Sequence, residues 1–289
     1  MSTTPESPRE APAGPPTSPR RRPRGELPVL GLAMPGWLTY RVWQRNRDVF
    51  FQLWKAELLP PLLEPIVTLL GLGLGLGAYV QLGGDLEYVQ FLGPGVLVAF
   101  PMFVATFEAL FGAYFRMTQH GTYDAMVATP IRPEEIVAGE IMWAATRMTL
   151  NTALIVLVLV LFTPWWGLVG SPLILLTIPT AFLTGIVIGG LGIAFTSRAR
   201  SVSQLSYFFS LFILPMFWFS GGFFPIDELP GWAQTMAWFF PLTHAVELSR
   251  GLVTGDVHTG LFGNLAWLLV AAIPTFWLGM AAMKQRIVG

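Results

Sequence analysis

From Leu58 to the C-terminus the apolar residues run in six blocks, near 58–80, 91–113, 141–163, 173–195, 204–222 and 261–283. Each is close to the ~20 residues a helix needs to cross ~30 Å of hydrocarbon, so the pattern predicts six transmembrane helices. Several hold proline: Pro60, Pro61 and Pro65 in the first, Pro101 in the second, Pro215 in the fifth and Pro274 in the sixth. Bundled helices tolerate such breaks where neighbours take up the freed carbonyls. Ahead of the first block, Val42, Trp43, Val49, Phe50, Leu53 and Trp54 share one arc at ~100° per residue, opposite Arg41, Gln44, Arg45, Asp48, Gln52 and Lys55. This predicts an amphipathic helix over 37–57, lying in the membrane interface. Residues 1–36 hold nine prolines and the basic run Arg20, Arg21, Arg22 and Arg24 without apolar periodicity. They read as a disordered tail, retained because no short apolar region follows a positive start as in a signal peptide. The fold expected is an all-α integral membrane protein, with a six-span domain over 58–285.

Composition agrees with that solvent. Hydrophobic residues make up 53% of the chain and charged residues 12%, against about 25% charged in soluble domains. The absence of cysteine excludes disulfides, thiolate metal sites, cysteine nucleophiles and thioester or prenyl anchors. Lys+Arg and Asp+Glu balance at 17 each, which argues against a nucleic-acid partner. The basic residues are nevertheless segregated. Fifteen lie before the first span, in 114–140, at Arg198 and Arg200, or at the end of the chain, and one, Arg250, lies in the alternate connections. The basic side stays in the cytoplasm, so both termini are expected there, in a bacterial inner membrane.

The search for reactive groups is mostly negative. No GxxxxGK[ST] loop exists, since the only lysines are Lys55 and Lys284, and neither HExxH nor GxSxG occurs. His244 and Glu247 share a helical face, but two ligands without a third do not make a metal site, and a surface polar pair is the plainer reading. No catalytic or metal residue is assigned.

Three charges lie within spans: Glu64 in the first, Glu108 near the end of the second and Arg147 in the third. Ten Leu, Ile, Val or Phe residues between Leu150 and Phe162 favour insertion by very roughly 3 to 6 kcal/mol, against about 2.5 to 3.5 for one central arginine. Two readings stand: Arg147 snorkels to the headgroups, or it pairs with Glu108 or Glu64 near a substrate path. The steps Gly71/Gly75 and Gly185/Gly189 predict close helix packing, within the chain or between protomers. The alternative is an unwound segment lining a cavity.

Two connections are long and patterned. Residues 116–140 hold a short apolar piece from Tyr123 to Ala128 closed by Pro130, then a second helix with Pro133 at its first position and Glu134 and Glu135 in its first turn. Such a helix is either a handle for a soluble partner or a solvated loop. Residues 223–260, on the opposite side, interleave aromatics with prolines and would settle at the interface or dip partway in.

The segments YDAMVATPIRPEEIVAGEIMW, SGGFFPIDELPGWAQ and FFPLTHAVELSRGLVTG resemble the permease subunits of ABC-2 type exporters. The nearest branch is that of nodulation lipo-oligosaccharide and daunorubicin-type drug-resistance permeases. The similarity covers roughly residues 37–285 and leaves the tail outside. It implies a dimer of permeases, most simply a homodimer, surrounded by membrane lipid and served by a separate nucleotide-binding ATPase subunit. ATP and Mg²⁺ would be bound by that subunit, and no cofactor by this chain. It also implies that Tyr123, Asp124, Ala125, Met126, Val127, Ala128 and Thr129 form a coupling helix, and that the segment after Gly222 forms two re-entrant helices. Cargo would be amphipathic, a lipid-linked saccharide or a drug-like molecule. The competing readings are an ion-coupled secondary transporter using Glu64, Glu108 and Arg147 as relays, and a membrane-embedded lipid-modifying enzyme.

Overall fold

The computed structural model describes residues 26–27, 32–77, 79 and 87–288. The expected disordered tail falls almost wholly outside the described residues, as does most of the link between the first two spans. In the unit that ends at Met34, the described residues include β1 (Glu26–Leu27) and β2 (Leu32–Ala33), which pair antiparallel. Pro35–Gly289 form another, and its regular structure among the described residues is all helical.

Among the described residues six helices are long and apolar enough to cross a membrane, matching the six blocks. The first, α1 (Leu38–Thr68), continues as a π-helical stretch to Leu76. Next come α2 (Tyr88–Phe107), a π-helical turn over Glu108–Gly112, α3 (Ala113–Thr118) and the short α4 (Thr122–Val127). The third span is α5 (Pro133–Trp166), and the fourth joins a 3₁₀ turn at Pro172–Leu176 to α6 (Thr177–Thr196). The fifth runs from α7 (Val202–Phe208) through π-helical Phe209–Ile213 into α8 (Leu214–Phe219). After α9 (Gly231–Trp238) and α10 (Pro241–Thr254), α11 (Thr259–Val288) is the sixth.

Two expected boundaries are corrected. No break separates the 37–57 helix from the first span, because Pro60, Pro61 and Pro65 are all accommodated inside α1. Its buried stripe is Thr39, Val42, Asn46 and Phe50, a helical period, and it lies on α5. Val42 fills the space left by Gly139, and Trp43 Nε1 donates to Thr146 Oγ1 at 2.9 Å. The second correction concerns Pro133, which begins α5 itself. Glu135 reaches back to accept from the Arg132 N–H at 2.9 Å, and no breaker intervenes before the apolar run. That segment is therefore the foot of the third span, not a separate exposed helix.

At the centre, α6 packs on α5, α11, α10 and α2. Leu92, Leu97, Met102, Met148, Ile155 and Leu159, each at most 1% exposed, form part of the core. Gly185 meets the Ala145 backbone and Gly189 meets Ala144 and Ile141, so this glycine pair brings α6 onto α5. Gly71 and Gly75 have nothing within 4 Å and face outward, along a π-helical rather than unwound segment. Proline tolerance has a visible mechanism in α2: Pro101 cannot bond to the Leu97 carbonyl, and Thr152 Oγ1 of α5 donates to it instead at 3.4 Å.

The bundle has two ends. One joins α4, the start of α5 and the end of α11, where Lys284 Nζ meets Glu134 Oε1 at 2.7 Å. The other carries α9 and α10, with the Ser171 N–H donating to the Val253 carbonyl at 3.1 Å.

Candidate functional site

The six-residue α4 begins after Gly121, whose φ of +58° supplies a left-handed entry that an L side chain resists. Tyr123 alone of its residues is buried, at 2% exposure, and packs near Ile136, Val137 and Ala113. Asp124, Ala125, Val127, Ala128 and Thr129 are exposed and Met126 half-buried, so α4 is pinned by one ring and presents the rest outward. The Tyr123 hydroxyl makes no hydrogen bond of regular geometry among the described residues, though it lies close enough to Arg116 to interact with it. Burial first, then the Glu140 carboxylate, push this phenol well above its ordinary value, with Arg116 opposing.

Behind α4 lies a charge cluster. Arg116 Nη1 donates to Glu108 Oε1 at 2.7 Å, and its Nε and Nη2 grip Glu140 at 3.1 and 2.5 Å. Eight residues of α-helix would separate Glu108 from Arg116 by about 12 Å; the π-helical turn between them advances less per residue and draws them together. Gly112 leaves room for the pair, since a Cβ would lie 2.8 Å from Glu108 Oε1 and 3.2 Å from Arg116 Nη1 and these side-chain ends would have to shift. One guanidinium thus fastens α2, α3 and α5 beside the anchor of α4.

Glu108, Arg147 and Glu64 do not pair with one another, although Glu108 and Arg147 line one cavity. Glu108 is held by Arg116, while Arg147 Nη2 bonds to Glu57 Oε2 at 2.7 Å, with its guanidinium carbon 4.7 Å from the Phe50 ring centre. Glu64 is exposed on α1 and makes no ion pair among the described residues. Arg116, Glu140 and Glu57 were not singled out from sequence. Their signal is that each is a charge just outside or at the end of an apolar block, but nothing in spacing says which acid meets which base.

Residues 38–253 match the family described as ABC-2 type transporter. The chain belongs to that family. Nodulation protein J of Rhizobium leguminosarum bv. trifolii is 34% identical to this ABC-2 type chain over 261 residues, 88% of this chain and 97% of that protein. Nodulation protein J of Rhizobium meliloti (strain 1021) is 32% identical over 266 residues, 91% and 98% respectively. The probable multidrug ABC transporter permease YbhR of Escherichia coli (strain K12) is 24% identical over 202 residues, 70% of this chain and 54% of that one.

At the opposite end of this ABC-2 type chain, residues after Gly222 form α9 and α10. The aromatics of α9 lie outward, Trp232 at 65% exposure and Trp238 at 56%, but α10 is built into the bundle. Ser249 Oγ donates to the Pro94 carbonyl at 2.8 Å, and Leu242, Val246 and Leu252 are buried. His244 and Glu247 are not a surface pair. His244 is 5% exposed, stacked on Trp267 at 4.2 Å, and contacts Asn264 Oδ1 at 2.7 Å and the Trp238 carbonyl at 2.9 Å. Glu247 instead accepts from Arg250 Nη1 at 2.7 Å. No group of three metal-binding side chains occurs among the described residues.

The Tyr123 anchor gives a first expected result. Tyr123→Phe removes a buried hydroxyl that makes no hydrogen bond of regular geometry and leaves the ring, so stability changes by no more than about 1 kcal/mol. Tyr123→Ala empties the socket and lowers stability by about 3–5 kcal/mol. Thermal unfolding followed by tryptophan fluorescence in detergent separates the two. Equal loss in both variants would mean that the hydroxyl, not the ring, holds α4.

Proposed function

We propose that this chain is the membrane-spanning subunit of an ATP-driven exporter, with ATP and Mg²⁺ bound and hydrolysed by a separate ATPase subunit docked on α4. One observation carries the reading: in a chain of the ABC-2 type family, a short helix between two spans exposes Asp124, Ala125 and Val127 while its one buried ring abuts the Arg116 cluster. A push on α4 reaches α2, α3 and α5 through that cluster. The cargo is amphipathic, a lipid-linked saccharide or drug-like molecule, in keeping with relatives named for nodulation and multidrug transport. A second copy completes the pathway, and the open face of α1 around Gly71 and Gly75 supports such an approach. The distribution of Lys and Arg supports placing the α4 end and both termini in the cytoplasm of a bacterium, with the chain in its plasma membrane. A proton relay gains no support, because Glu64, Glu108 and Arg147 are separately engaged or exposed.

The test is reconstitution in liposomes with and without an added ATPase subunit. Transport and ATP hydrolysis are expected only with it, and Asp124→Arg is expected to lower both without reducing insertion. Transport driven by membrane potential in the chain alone would overturn the reading.

A further inference from the structure

A cavity of about 220 Å³ opens at the α4 end between α1, the α2–α3 segment and α5. A water in liquid occupies about 30 Å³, so the space takes a small polar group with hydration to spare. Its walls hold three guanidiniums, Arg45, Arg116 and Arg147, and two carboxylates, Glu57 and Glu108. Both carboxylates are taken: Glu108 by Arg116, which also grips Glu140 behind it, and Glu57 by Arg147. Arg45 forms no ion pair among the described residues; its hydrogen bond, at 2.9 Å, goes to the neutral Asn46 Oδ1.

Two donors among the wall residues have no acceptor. Asn46 Nδ2 and Arg147 Nε are both unpartnered, on residues only 4% and 6% exposed. A buried donor left without an acceptor is destabilising. The two free donors and the Arg45 guanidinium, which has no ion-pair partner among the described residues, call for an acceptor, which an oxyanion supplies and a cation does not. Beside the cavity, Val49 and Leu53 are 45% and 57% exposed, an apolar border that suits acyl chains next to a charged headgroup.

We propose that this cavity binds a phosphate-ester oxyanion, the headgroup of an acidic phospholipid, through Arg45, Asn46 and Arg147. The site lies within one protomer and binds on the chain alone, so it stands or falls separately from the ATPase partner and the exported cargo.

The experiment uses the purified full chain in detergent, with unfolding midpoints and native mass spectrometry as readouts. The probes are phosphatidylglycerol, phosphatidylcholine and inorganic phosphate. Phosphatidylglycerol is expected to bind about tenfold more tightly than phosphatidylcholine, and removing one charge-assisted donor is expected to weaken it by about the same factor. Arg45→Gln, at a half-buried position, and Asn46→Leu each remove one donor, and their lipid-free unfolding midpoints report whether the fold survives. Inorganic phosphate that stabilises the wild type and not the variants assigns the same site to the free anion. Phosphatidylglycerol and phosphate acting equally on wild type and on a folded Arg45→Gln variant would overturn the proposal.

Discussion

Arg116→Met is expected to be the most damaging single change at the α4 end, lowering stability by about 3–5 kcal/mol and the thermal midpoint by about 10 °C. Arg116 and Glu108 side chains are each 14% exposed and Glu140 only 1%, so removing the guanidinium strands two carboxylates in a site that water scarcely reaches. The charge, not the volume, carries the effect, because methionine fills much of the vacated space. Arg116→Met combined with Glu108→Gln and Glu140→Gln should therefore recover most of the loss. Tryptophan fluorescence is a ready probe, with 11 tryptophans and no cysteine in the chain. A single variant that melts with the wild type would show that the cluster contributes nothing to the fold.

Gly190→Val is expected to be comparably severe for a steric reason. A Cβ at Gly190 would lie 2.5 Å from the Thr275 carbonyl oxygen and 2.7 Å from its carbon, and one at Gly279 would lie 2.9 Å from the Gly190 oxygen. These contacts are backbone, so no rotamer change relieves them, and α6 and α11 must separate. Overpacking of this kind costs about 1–3 kcal/mol, and more where the obstacle is main chain. Gly75→Val is the matched control, since nothing lies within 4 Å of that position. The folded protomer should accumulate normally with Gly75→Val and poorly with Gly190→Val, as read by size-exclusion profiles. Loss of transport with intact folding in Gly75→Val would then report on contacts beyond the protomer.

The spans are legible in the sequence because runs of some twenty apolar residues exceed what a soluble core requires. Gly185 and Gly189 are legible for a related reason: small residues one turn apart admit a neighbouring backbone, and Ala145 fills that place. Gly71 and Gly75 follow the same spacing, yet face open space, because spacing marks a face without saying what covers it. Ion pairing is the least legible feature. The sequence offered Arg147 the acids Glu64 and Glu108, whereas its partner is Glu57, a choice that depends on α1 lying along α5 through Val42, Phe50 and Trp143. The bond from Glu108 to Arg116 depends on a wide turn that no periodicity announced. His244 read as a surface residue because it lies in the long connection after the fifth apolar block, but its polar ring finds Asn264 inside the bundle.

The unbroken α1 behaves as a beam clamped near its ends. Val42 and Phe50 fix it to α5 at one end, and Gly73 rests on Val89 of α2 at the other. The intervening stretch is largely exposed and holds Pro60, Pro61 and Pro65, each lacking one rung of the hydrogen-bond ladder. With three rungs missing and few neighbours inside the protomer, this midpoint is where the beam bends at least cost.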